Sequence, residues 1–259
     1  MKSLSVAGRI FYGVAIAGMG LLTVYYHVFP YMLIPPKHSW IPGIATYIFG
    51  ILLIVAGVCI VLKIKTKPAS LLLGTALLLI FCFYFVPYQL MATSTYMKFG
   101  AWENAAKELT LASGALVIAG CFPGRNETSL SRFLSKLIPF GRILFSITII
   151  SYGIDHFLYA KEAADYVPAW VPYHLFWIYF CGAALLGAGL AIILKIKIRL
   201  IATLLGAMIL TWFIILHIPR IIDAPAIYLK SEVASALLAL AYSGIAFVIS
   251  KIKCYPLVM

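Results

Sequence analysis

Runs of about 20 apolar residues recur along this chain, each closed off by charges, prolines or both, and that is the length a helix needs to cross a bilayer core. No water-soluble fold hides so much apolar surface: 64% of the 259 residues are hydrophobic and only 11% are charged, where a soluble domain carries about 25% charged residues. The chain therefore reads as an all-α integral membrane protein. Charges and turn residues divide it into eight expected transmembrane helices, at 8–29, 42–62, 69–92, 103–122, 139–159, 171–194, 199–219 and 231–250. The first nine residues resemble a signal-peptide start, but the apolar stretch that follows is long and lacks a small-x-small cleavage site, so it reads as a retained helix.

A net charge of +12 raises the question of a nucleic-acid partner. The basic residues form no patch; they flank the spans. One set of connections holds Lys2, Arg9, Lys63, Lys65, Lys67, Arg125, Arg132, Lys136, Arg142, Lys195, Lys197, Arg199, Lys251 and Lys253. The opposite set has only Lys37, Lys98, Lys107, Lys161, Arg220 and Lys230. The positive-inside rule places the first set, and both termini, in the cytoplasm of a cell whose bounding membrane is expected to be a bacterial inner membrane. Basic residues at these depths bind anionic headgroups, which explains the charge without nucleic acid and makes the lipid bilayer the chain's first partner.

The acids and histidines divide the other way. Only Glu127 is on the basic side, while Glu103, Glu108, Asp155, Glu162, Asp165, Asp223 and Glu232 fall at or near the outer ends, and His27, His38, His156, His174 and His217 lie in the outer half. Chemistry is expected at the outer face. Cys59, Cys82, Cys121, Cys181 and Cys254 show no C-x-x-C spacing and read as small apolar thiols. No H-E-x-x-H or cysteine-rich metal spacing and no glycine-rich phosphate loop occurs, and no catalytic residue set stands out.

The chain also repeats itself. Gly8-Arg9-Ile10-Phe11 returns as Gly141-Arg142-Ile143-Leu144, and Trp40-Ile41-Pro42 returns as Trp170-Val171-Pro172. Leu62-Lys63-Ile64-Lys65 returns as Leu194-Lys195-Ile196-Lys197, Leu72-Leu73-Gly74 as Leu204-Leu205-Gly206, and Pro87 and Gly114 match Pro219 and Gly244. A unit with an even number of spans ends on the side where it began, so the expected architecture is two parallel four-helix-bundle repeats, 1–122 and 139–259, joined by a polar cytoplasmic linker at 123–138. The sequon Asn126-Glu127-Thr128 lies in that linker, on the wrong side for glycosylation. Gly50, Gly57, Gly182, Gly187 and Gly189 read as helix-packing positions.

The second repeat holds the richer polar set. Asp155 and His156 end its first helix, Trp170 lies in the following loop, and His217 and Arg220 close its third helix. The first repeat has Phe85 where His217 stands, so a site is expected in the second repeat only. Arg220 has two bland alternatives, snorkelling to headgroups or pairing with Asp155, and Glu103 and Lys107 sit at i,i+4 spacing as an ordinary helix pair.

The second repeat resembles the DoxX family of four-helix membrane proteins. The resemblance is carried by Gly141-Arg142-Ile143-Leu144, Asp155-His156-Phe157, the segment from Val167 to Pro172, Gly182-Ala183-Ala184-Leu185-Leu186 and Leu216-His217-Ile218-Pro219-Arg220, and more faintly by Trp102 to Leu109 in the first repeat. It implies a membrane subunit associated with redox-enzyme subunits, since the family includes the small membrane subunit of a thiosulfate:quinone oxidoreductase. The corresponding expectation is a quinone or another lipophilic molecule bound near the outer face. In that reading His156, His217 and Arg220 make polar contacts, Asp155 orients or balances them, and Trp170 packs the ring. A small-solute transporter and a structural assembly subunit stay open beside it. Against the transporter, no central span shows a Gly/Pro interruption or a buried charge of the kind that marks many transport sites.

Overall fold

The computed structural model describes residues 2–30, 32–34, 43–91, 97–124 and 128–251, and all regular structure among them is helical. Pro35, Pro36, His38, the Trp40-Ile41-Pro42 motif, Asn126, Glu127 and Cys254 lie outside the described residues. The long helices are α1 (Lys2–Tyr26), α2 (Gly43–Leu62), α3 (Thr66–Met91), α4 (Glu103–Ala119), α5 (Ile138–Leu158), α6 (His174–Ile193), α7 (Ile198–Asp223) and α8 (Ala226–Ile249). Among the described residues 7 helical segments are long and apolar enough to cross a membrane, which makes this an integral membrane type of fold. The expected span at 103–122 is not one of them. Its helix α4 has 17 residues and carries Glu103, Lys107 and Glu108, and at 1.5 Å per residue it is about 26 Å long, against about 30 Å of hydrocarbon.

Small side chains decide which helices occupy the middle. On α4 the run Ala112-Ser113-Gly114-Ala115 is buried, and on α8 so are Ala234, Ala241, Ser243, Gly244 and Ala246. Residues of this size let backbones approach and gain dispersion contacts that larger side chains would block. The two helices touch, α8 is flanked by α1 and α7, and α4 is flanked by α3 and α5. Beyond these, α2 packs on α1 and α6 on α5. The halves of the chain interleave, since α1 lies against α8 and α5 against α4.

The backbones of α1 and α8 come very close. A Cβ built on Gly244 would stand 2.5 Å from the Gly8 carbonyl oxygen, and one built on Gly8 would stand 2.5 Å from the Gly244 oxygen. Gly141 makes the corresponding approach to α4, where its Cβ would meet Ser113 O at 3.0 Å. Gly57 likewise meets Gly13 O between α2 and α1, and Gly189 meets Ser146 O between α6 and α5. Gly187 was expected among these packing positions, but it faces outward with nothing within 4 Å of its Cβ site. The outer helices turn large apolar residues away from the protein, including Ile48, Leu52 and Val55 on α2 and Phe176 and Phe180 on α6, as lipid contact requires.

Two local devices recur. After α2, Lys63 (φ 61) is left-handed and Ile64 N–H donates to Cys59 O at 3.0 Å; after α6, Lys195 (φ 60) is left-handed and Ile196 N–H donates to Ala191 O at 2.8 Å. This is the Schellman-type helix end, with lysine in the place that glycine usually takes. Further along, α3 widens into a π turn at Phe81–Phe85 and α7 at Phe213–His217, each just before a proline, Pro87 or Pro219. Proline lacks an N–H and collides with the carbonyl four residues back, and the wider turn accommodates it. The expectation of uninterrupted central spans does not hold for these two helices.

Among the cysteines, Cys59, Cys82 and Cys181 are free as expected, whereas Cys121 is disulfide-bonded.

Candidate functional site

A cavity of about 1290 Å³ lies between α5, α6, α7 and α8, with its mouth at the end of the molecule opposite the lysine turns. It follows α7 from Met208 to Asp223 and α8 from Tyr228 to Tyr242, about 20 Å of helix. Polarity changes along that depth. Toward the middle of the helices the lining is Ile149, Leu185, Met208 and Leu238 with the Tyr152 and Tyr242 rings, nearer the helix ends it is Trp177 and Trp212, and at the mouth it is Glu103, Lys107, His174, Arg220, Asp223 and Glu232.

The aromatic belt is held by identifiable bonds. Tyr152 and Tyr242, from α5 and α8, stack at 5.7 Å between centroids and share a hydroxyl hydrogen bond of 3.0 Å. Trp177 and Trp212 meet edge to face at 6.2 Å; Trp177 Nε1 donates to Pro172 O at 3.1 Å and Trp212 Nε1 to Cys181 Sγ at 2.9 Å. With their N–H groups satisfied, both indoles can present apolar rings to the cavity.

At the mouth, Arg220 holds Glu232 in a two-pronged ion pair, Nε to Oε2 at 2.8 Å and Nη2 to Oε1 at 2.5 Å, and its guanidinium lies 4.6 Å from the Tyr166 ring centre. That geometry fixes the planar fork of arginine against a carboxylate and an aromatic face at once. Lys107 pairs with Glu103 at 2.7 Å, as the i,i+4 spacing predicts. The segment after α5 folds over the opening: Ala160, Ala164, Val167 and Val171 pack with Ile178, Trp177 and Trp212, and Asp165 and Tyr166 reach the rim.

Of the residues singled out from the sequence, His156, His217 and Arg220 come together on the cavity wall. His156 Nδ1 is bonded to Tyr152 O at 2.7 Å, while His217, the last residue of the π turn, has a buried Nδ1 with no hydrogen-bond partner among the described residues. Asp155 does not line the cavity, and one of its oxygens is buried without a partner. Arg220 pairs with Glu232, not with Asp155. Trp170 is 67% exposed and outside the lining; Trp177 and Trp212 supply the ring surface that it was expected to give. Trp177 stands at i,i+4 spacing from Cys181, which puts the two on one face of α6.

Glu108 departs furthest from expectation. Placed by sequence near the outer end of a helix, it is fully buried, and neither carboxylate oxygen has a hydrogen-bond partner among the described residues. A central helix does contain a buried acid, which the expectation of no buried charge in the central spans did not foresee. It lies outside the cavity, beside Tyr12, whose hydroxyl donates to Leu111 O at 2.6 Å.

Among the described residues no group of three or more His, Cys, Asp or Glu is placed to hold a metal ion. Comparison of the chain with protein-family models, curated proteins and solved structures returns no match in any of the three, so the cavity and the membrane fold are the basis for a functional reading.

Proposed function

We propose that this membrane protein binds a lipophilic molecule with a polar head, of the quinone class, in the cavity of its second half, as a redox-associated membrane subunit. The single observation that carries the reading is the polarity gradient of the cavity, apolar and aromatic inside and ionic at the mouth. A ring would lie against Trp177 and Trp212, an apolar tail would run toward Met208 and Leu185, and the His156 and His217 side chains on the wall supply polar contacts to the head. Arg220, held by Glu232 and Tyr166, sets the polar rim.

The wider reading is eight crossings in two parallel DoxX-like repeats, with both termini in the cytoplasm of a bacterial inner membrane. It is supported by the matched lysine turns, the matched π turns and the paired close approaches of Gly8 and Gly141. The buried Glu108 and the π turns favour a second reading, a small-solute transporter, because polar groups and irregular backbone inside a membrane mark many permeation paths.

Titration of the purified protein with decylubiquinone, followed by tryptophan quenching, tests the first reading. Saturable quenching is expected, weakened about tenfold or more in a His217→Ala and Arg220→Ala double variant, which removes two polar contacts. Unchanged binding in the double variant would overturn the assignment.

A further inference from the structure

The charge of the cavity is opposite in sign to that of the chain. Against a formal net charge of +12 for the whole protein with histidines neutral, the lining contains the acids Glu103, Asp165, Asp223 and Glu232 and the bases Lys107 and Arg220. Both bases are consumed in ion pairs, Lys107 with Glu103 and Arg220 with Glu232. Asp165 and Asp223 are exposed at the rim and make no ion pair with any described residue. Behind the Glu103–Lys107 pair stands a further acid, Asp155, close enough to feel both charges and with one oxygen buried and unpartnered. A ligand approaching the mouth therefore meets negative potential, focused by the low-dielectric walls of a membrane protein.

The interior adds a second, independent attraction. Tyr152, Tyr166, Trp177, Trp212, Tyr228 and Tyr242 all line the cavity. Aromatic faces attract cations through the ring quadrupole, most strongly where water is excluded. The protein already uses one of these rings in that way, with the Arg220 guanidinium over Tyr166.

From the charge balance and the aromatic lining together, we infer that the cavity takes lipophilic organic cations and excludes lipophilic anions of the same shape. This rests on the reading of the cavity as a site for lipophilic molecules and adds the sign of charge that it selects. A fatty acid or an anionic phospholipid would bring a negative head to the unpaired Asp165 and Asp223; a quaternary phosphonium or ammonium would bring the complement.

The test uses tetraphenylphosphonium and tetraphenylborate, nearly equal in size and opposite in charge. Equilibrium dialysis of the purified full chain in an uncharged maltoside detergent measures each ion. A cavity-filled Ala239→Trp variant, with Ser235→Trp as a second filled form in case the first misfolds, subtracts partition into the micelle. The expected result is saturable tetraphenylphosphonium binding about tenfold or more tighter than any tetraphenylborate binding, as one or two unit charges at the rim imply. The preference should shrink with added salt and vanish in Asp165→Asn/Asp223→Asn protein. Equal binding of the two ions, tighter binding of the anion, or saturable decylubiquinone binding with neither ion bound overturns the charge inference and leaves the lipophilic site standing. Absence of cavity-dependent binding for both ions and for decylubiquinone overturns both.

Discussion

Replacing Gly244 with alanine adds one methyl group where the backbones of α8 and α1 are closest. The new Cβ would stand 2.5 Å from Gly8 O, 2.9 Å from Tyr12 N and 3.1 Å from Phe11 Cβ. Two of these neighbours are backbone atoms, so no side-chain rotation relieves the contact and the helices must part by several tenths of an ångström. Overpacking of this kind costs about 1–3 kcal/mol, and a gap opened along the seam gives up further dispersion contacts. Alanine in place of glycine also favours the helix by about 0.5–1 kcal/mol, so the net expectation is a loss of about 1–2 kcal/mol. Gly187→Ala isolates the propensity gain, because its Cβ would meet nothing within 4 Å. Thermal unfolding of both variants in the same detergent, followed by a thiol-independent fluorescence signal, should lower the midpoint for Gly244→Ala and leave it unchanged or raised for Gly187→Ala. Equal shifts for the two variants would refute the packing of α1 on α8.

Three further outcomes follow from particular side chains. Glu108→Leu removes two buried oxygens that have no hydrogen-bond partner among the described residues and should stabilise the protein by about 1–3 kcal/mol; a lower unfolding midpoint would show that the carboxyl is engaged. Lys195→Gly relieves a left-handed lysine at the end of α6 and should raise stability by about 1 kcal/mol in the same assay, whereas a drop would mean that the lysine side chain holds the turn. Arg220→Gln strands Glu232 at the cavity mouth and should cost about 1.5–3 kcal/mol, and the double Arg220→Gln/Glu232→Gln variant should recover much of it. A double-variant loss equal to the sum of the single losses would show that the pair is not coupled.

What the sequence discloses here is governed by how local the cause is. Span length, the Glu103–Lys107 pair and the gathering of His156, His217 and Arg220 at one end follow from spacing along single helices. The paired Leu-Lys-Ile-Lys turns and the π turns before Pro87 and Pro219 are also local, although only the prolines announce the second. Partners across helices are not legible in this way. Whether Arg220 meets Asp155 or Glu232 depends on how α7 and α8 rotate against each other, and Trp170 and Trp177 are equally aromatic until the loop folds one outward. Gly187 and Gly189 lie two residues apart on one helix and so face different directions, which their identity alone does not reveal. Glu108 misleads for the same reason: its place in the chain suggests an edge, and the neighbours that bury it come from elsewhere.

Native mass spectrometry of the gently purified protein beside its Ala239→Trp form tests most directly whether the cavity holds a lipophilic molecule. A stoichiometric small apolar molecule should be retained by the natural chain and lost when the cavity is filled. A natural chain that carries only exchangeable bulk lipid, in amounts the filled variant matches, would contradict it.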